Sequence, residues 1–148
     1  MSKTLINEVP GLVSTWWNDD LHAIHIKWYT EYAEGSEVID AVNHALRYVE
    51  ENKVEHWLVD ISTSKCGLKA EDQLWVETEF KKAIANSPLK KIAMMPPLPE
   101  TGQDTGWLDD WEANTKTEFS GQIDARLLSN EGEIKRFFDE DYRMKKVV

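Results

Sequence analysis

Residues 56 to 68, HWLVDISTSKCGL, hold the densest group of side chains that can do chemistry. Trp57, Leu58, Val59 and Ile61 surround Asp60 and run into a polar loop carrying Ser62, Thr63, Ser64 and the single cysteine, Cys66. Hydroxyls here can accept a phosphoryl group or bind a ligand. Equally, they can satisfy backbone donors ahead of the next helix. Cys66 becomes a nucleophile only if its thiolate is stabilised and a base, usually histidine, lies within hydrogen-bond reach. The histidines are His22, His25, His44 and His56, and spacing alone places none of them beside it. His22 and His25, three apart on a strand, point to opposite faces and cannot share a metal ion, so no metal site is expected. The acids Asp104, Asp109, Asp110 and Glu112 have no partner at an informative spacing, so acid–base catalysis is not expected of them.

Seven tryptophans are a second signal. Trp107 and Trp111, four apart, share a helix face. Beside the proline-rich PPLPETGQDTG they form a lid or a subunit contact, or else they pack inward. Trp16 and Trp17 are adjacent on a strand and point to opposite sides. The binding candidates are therefore Asp60, Ser62, Ser64, Cys66, Trp107 and Trp111.

These residues need elements to position them. LVSTWW and LHAIHIKW, on either side of Asn18-Asp19-Asp20, read as an antiparallel hairpin after a loose lead-in over residues 1–10. EGSEVIDAVNHALRYVEEN is a helix with Ser36 as N-cap, Asn52 as stop, and Val38, Val42, Ala45, Leu46 and Val49 as its apolar stripe. HWLVD is the next strand. A helix over 70–86 follows, with Leu74, Val76, Phe80, Ala83 and Ile84 mostly inward, ended by Ser87-Pro88. LKKIAMM is a strand stopped by Pro96-Pro97 and Pro99. A short helix capped by Asp104 or Thr105 leads to GQIDARLL, the fifth strand. SNEGEIKRFFDEDY is a last helix with Ser129 as N-cap, before a frayed RMKKVV.

The order β-β-α-β-α-β-α-β-α predicts one α/β domain over residues 1–148, with its core at about 12–140. Its sheet is mixed and five-stranded, an antiparallel hairpin followed by parallel β-α units. The strands around Val59 and Ala93, the most continuously apolar, are expected at its centre.

That order resembles the SpoIIAA-like superfamily, which includes STAS domains, anti-sigma factor antagonists and the longer, lipid-enclosing CRAL-TRIO domains. The likeness rests on the opening hairpin, WLVDIS, LKKIAMMPP, and a final strand and short helix ending RFF. Among these, the chain is most similar to small, uncharacterised bacterial proteins. The antagonists carry Asp-Ser-Ser-Gly a few residues after such a strand, with a phosphorylated serine at a helix start. Here Thr63-Ser64-Lys65-Cys66-Gly67 takes that place, and the resemblance implies phosphorylation at Ser62 or Ser64.

Composition narrows the partners. With 27 acidic against 17 basic residues the formal charge is −10, which repels phosphate backbones and anionic membranes. The basic pairs Lys81-Lys82 and Lys90-Lys91, and the run from Arg143 to Lys146, are short. No apolar run approaches a membrane span, and MSKTLINEVPGLV lacks an apolar leader, so a cytoplasmic protein without membrane insertion is expected. The function expected is a non-catalytic regulatory or binding module acting through loops 62–69 and 96–111. It needs no cofactor, and its partner is a protein or a small molecule. The competing classes are an enzyme centred on Cys66 and a homodimer that buries the hairpin tryptophans.

Overall fold

The computed structural model describes residues 3–102, 106, 108–119 and 122–147, without the side chains of Asp109, Lys116, Glu118 and residues 140–147. One mixed sheet has its six strands in chain order: β1 (Lys3–Val9), β2 (Val13–Asn18), β3 (Ala23–Trp28), β4 (His56–Asp60), β5 (Lys91–Met95) and β6 (Asp124–Leu127). β1, β2 and β3 form an antiparallel meander, and β3 through β6 are parallel. The expected hairpin is β2–β3.

The sixth strand is a correction: the expected lead-in is strand β1. Its sequence, KTLINEV, is polar and mostly exposed, with a register shift between Leu5 and Asn7. An edge strand with one neighbour needs little apolar surface, and the shift and Lys3 discourage pairing with another chain. Val9-Pro10-Gly11-Leu12 closes β1 onto β2. Leu12 N–H donates to the Val9 carbonyl at 2.9 Å and Gly11 takes φ +77°. Proline second and a positive-φ glycine third are the requirements of a type II turn.

Among the described residues four longer helices flank the sheet: α1 (Glu37–Asn52), α2, α3 (Leu108–Glu118) and α4 (Glu131–Val147). α2 runs continuously through Ala70–Trp75, a wider π turn at Val76–Phe80, and Lys81–Ala85. Each parallel crossover advances the sheet in the same direction. Right-handed crossovers of that kind place their helices on one face. Accordingly α1, α2 and α3 pack on a single core with Ile24, Ile26, Trp57, Ile92 and Ile123. α4 alone packs on the other face, where Ile134, Phe137 and Phe138 meet Leu21, Ala23, Leu58 and Ala93.

Several local expectations change. In α2 it is Leu74 that faces out, 61% exposed, while Trp75 and Phe80 turn inward and Phe80 meets Trp57 at 5.8 Å. The π turn holds an extra residue, so a uniform 3.6-residue stripe misplaces the positions beside it. α1 ends on Lys53 in the left-handed region (φ 54°), one residue past Asn52. Ser36 sits at its N-cap position, but its hydroxyl donates to Asp40 Oδ2 at 2.9 Å and does not accept from a backbone N–H of the first turn. α4 is capped by Asn130, whose Oδ1 accepts from Gly132 N–H at 2.7 Å and Glu133 N–H at 3.3 Å, and not by Ser129. Its helical backbone continues to Val147, through the segment expected to fray. Asp104 and Thr105, the expected caps of α3, lie outside the described residues.

Leu58, 1% exposed between the sheet and α4, and Leu74 test this register. Urea titration of Leu58→Ala should show a loss of about 2–5 kcal/mol, and Leu74→Ala a change within about 0.5 kcal/mol. Equal losses at the two positions would contradict the packing.

Candidate functional site

The loop after β4 is held from two sides. Toward β5, Ile61 N–H donates to the Met95 carbonyl at 3.1 Å and Leu98 N–H to the Ser62 carbonyl at 3.0 Å. Toward β3, Lys65 N–H donates to the Tyr29 carbonyl at 3.2 Å and Glu31 N–H to the Cys66 carbonyl at 2.8 Å. The loop therefore bridges the two strand ends that flank β4.

Asp60 closes the strand. It is buried, and its Oδ1 accepts from Ser62 N–H at 2.9 Å and from Ser62 Oγ at 2.5 Å. An aspartate bonding the chain two residues on is a self-contained turn, which is why the apolar run can stop there. Ser64 is fully buried and its hydroxyl donates to the Cys66 carbonyl at 3.2 Å. Thr63 and Cys66 are exposed. His22 and His56 lie at the opposite end of the strands, the first in the β2–β3 turn and the second at the start of β4. Neither can serve Cys66 as a base.

Trp111 is half-buried against the three-helix core, and its neighbour Glu112 accepts from Leu127 N–H at 2.7 Å, tying α3 to β6. Trp107 lies outside the described residues. The candidates thus separate. Asp60, Ser62, Ser64 and Cys66 share one loop, whereas Trp111 belongs to the packing of α3.

The open space lies on the β3 side of that loop. A hollow of about 600 Å³ is lined by Glu8, Pro10, Gly11, Tyr29, Thr30, Thr63 and Lys65. Three segments that are remote in sequence frame it: the β1–β2 turn, the end of β3, and the loop after β4. In doubly wound sheets a crevice opens where the strand order reverses. This sheet runs in chain order and has no reversal. Its hollow opens instead where strand direction changes, between the meander and the parallel half. Beneath it, buried Ser14 gives its one proton to Glu8 Oε2 at 3.1 Å, so the Tyr29 hydroxyl, also at 3.1 Å, donates to Ser14 Oγ. The Lys27 ammonium lies 5.7 Å from the centre of the Tyr29 ring. Glu8 and Lys65 place opposite charges on opposite walls.

Two titratable groups, one on β3 and one just past it, are withdrawn from solvent, His25 buried and Glu31 half-buried. His25, on the α4 face of β3, is 6% exposed, stands 5.2 Å from Trp16, and has neither ring nitrogen hydrogen-bonded among the described residues. Burial pushes its pKa down to about 4, helped by the charge of Lys3, opposed by Asp60, and lowered further by Lys27. Glu31, just past β3, has Oε1 sealed from solvent and unpartnered among the described residues. Burial pushes its pKa up to about 7, and the neighbouring Ser64 side chain is the smaller, opposing influence.

The side chains missed from sequence are Glu8, Ser14, Tyr29 and Glu31. His25 enters from sequence only as a metal ligand or a base for Cys66. Among the described residues no three His, Cys, Asp or Glu side chains gather as a metal site, and no helix is long and apolar enough to cross a membrane. Comparison of the chain with protein-family models, curated proteins and solved structures finds no match.

His25 is neutral in the fold down to about pH 4 but protonates near 6.5 when unfolded. The unfolded state therefore binds the extra proton, and stability is lost as pH falls from 6.5 toward 4, by on the order of 3 kcal/mol. His25→Phe removes both the titration and two unpaired buried nitrogens. In chemical denaturation the variant should match or exceed the wild type at pH 7, with its advantage widening as pH falls to 4. A constant difference across that range would contradict the burial of a neutral imidazole.

Proposed function

We propose that the chain is a non-catalytic binding module of the SpoIIAA-like kind that receives its partner at the rim of the sheet, in the hollow between the β1–β2 turn and loop 62–66. The observation that carries this is the convergence of three separate segments on one open hollow where strand direction changes. Its walls suit a small polar molecule or peptide end bearing both charges. Glu8 faces a cationic or donor group, Lys65 an anionic one, and the Tyr29 ring and the Thr30 and Thr63 side chains lie between. The order of hairpin and β-α units supports the family resemblance.

Control by phosphorylation has a geometric condition. Ser64, which the resemblance puts nearest the phosphorylated serine, is sealed inside the loop, and the Ser62 hydroxyl is held by Asp60. A kinase reaches Ser64 only when the loop opens. The loop's exposed hydroxyl is Thr63.

A library of small zwitterionic fragments titrated into the ¹⁵N-labelled full chain tests the site. Amide shifts should cluster at Thr30, Thr63 and Lys65. Lys65→Glu, an exposed change that leaves the fold intact, should weaken the best fragment about tenfold, or 1.4 kcal/mol. Shifts centred on Trp111 and α3, or an affinity indifferent to the charge reversal, would remove the hollow as the binding site.

A further inference from the structure

The segment that ends β3 and the loop that follows β4 are joined by only two backbone hydrogen bonds, Lys65 N–H to Tyr29 and Glu31 N–H to Cys66. Thr30 lies between those bonds on one segment, the buried Ser64 directly precedes them on the other, and Glu31, which donates one of the two, has a carboxyl oxygen sealed from solvent. A neutral carboxyl tolerates such a place. An ionised one beside a single hydroxyl, whose one proton goes to the Cys66 carbonyl, does not, because its charge is desolvated without a cation or a set of amides to replace water.

We propose that Glu31 is a proton-operated latch on loop 62–66: while its carboxyl is neutral the two backbone bonds hold, and when the proton leaves, the loop lifts and the wall of the hollow formed by Thr63 and Lys65 opens.

The charged groups on the elements packed around Glu31 are not placed to replace its lost solvation. Lys65 is exposed on the loop. Lys69, at the start of α2, donates from its ammonium to the Glu34 and Gly35 carbonyls at 2.7 and 2.8 Å. Asp72, in the first turn of α2, is itself buried. What holds the proton on is burial, and what favours its loss is the Ser64 hydroxyl.

The direction of the effect follows from linkage. The carboxyl titrates near 4.5 when the loop is open to water and near 7 when it is closed. Between those values the closed form binds more protons, so opening becomes easier as pH rises from about 4.5 to 7 and then levels off. The consequence for ligands rests on the hollow being the binding site, but the latch itself is measured without any ligand.

Amide hydrogen exchange of the full chain, corrected for intrinsic rates, reads it at Glu31 and Lys65, with Leu58 and Val59 of β4 as controls. The opening constant at Glu31 and Lys65 should rise roughly tenfold per pH unit between about 5 and 7 and flatten above, while the β4 amides stay protected. In Glu31→Gln, which is neutral throughout, the same amides should show no slope. A wild-type profile matching that of Glu31→Gln, or opening constants at Glu31 and Lys65 no larger than those of the β4 amides, overturns the latch. If Glu31→Gln fails to fold, the ¹³C titration of the Glu31 carboxyl in the wild type decides. A midpoint near 7 supports the latch and one near 4.5 overturns it. Failure of fragments to bind the hollow would leave this result standing.

Discussion

The handedness of the β-α-β crossover governs most of this structure. A right-twisted strand feeding a helix returns to the sheet on one side. Three such crossovers progress in the same direction, so α1, α2 and α3 crowd one face, and every loop after a parallel strand emerges at the same rim. The other face keeps α4, which covers Leu58 and Ala93, and leaves polar and aromatic side chains such as Trp16, His25 and Asp60 on the same sheet surface. At one end of the sheet the end of β3 and the loop after β4 meet the β1–β2 turn, and Leu98 ties the loop after β5 to Ser62.

The rim is fastened by short polar devices beside the buried Leu12, Ala33 and Ile61. Asp60 folds Ser62 back on itself, Ser64 ties to Cys66, and Ser14 links Glu8 to Tyr29. Each bond contributes modestly, on the order of 1 kcal/mol, but leaving a buried partner unpaired costs more than the bond contributes. His25 and Glu31 show the two outcomes of burying a titratable group without a full set of partners. The imidazole sheds its proton and the carboxyl keeps one, since in each case the neutral form is the one the interior tolerates. Their effects on stability run in opposite directions with pH. The imidazole weakens the fold as pH falls below 6.5, and the carboxyl weakens it as pH rises above 4.5.

The architecture was largely legible from local pattern. WLVD and KIAMM are continuous apolar runs because both faces of β4 and β5 are covered, and α1 shows a clean stripe because one side meets the core. What failed to show were elements whose character is set by neighbours. β1 reads as a tail because an edge strand carries few apolar residues. Leu74 and Trp75 exchange places because a π turn breaks the helical period. The site was half legible. The loop from Asp60 to Cys66 announces itself by composition, whereas the side chains it meets, Tyr29 and Glu31, are recruited through parallel pairing of β3 with β4, and no spacing along the chain encodes that. Trp111 takes the inward alternative, packed with α3 on the core, and Trp107 lies outside the described residues.

All of this depends on β4 lying between β3 and β5 with all three strands running the same way. Backbone proton–proton contacts measured by NMR test it directly. The predicted pattern links Ile24 with Trp57 and Ile26 with Val59 on one side of β4, and Trp57 with Ile92 and Val59 with Met94 on the other, in ascending order along each strand. Contacts that descend along one strand as they ascend along its neighbour, or a β4 with a partner on one side only, would contradict the placement of the rim and the site built on it.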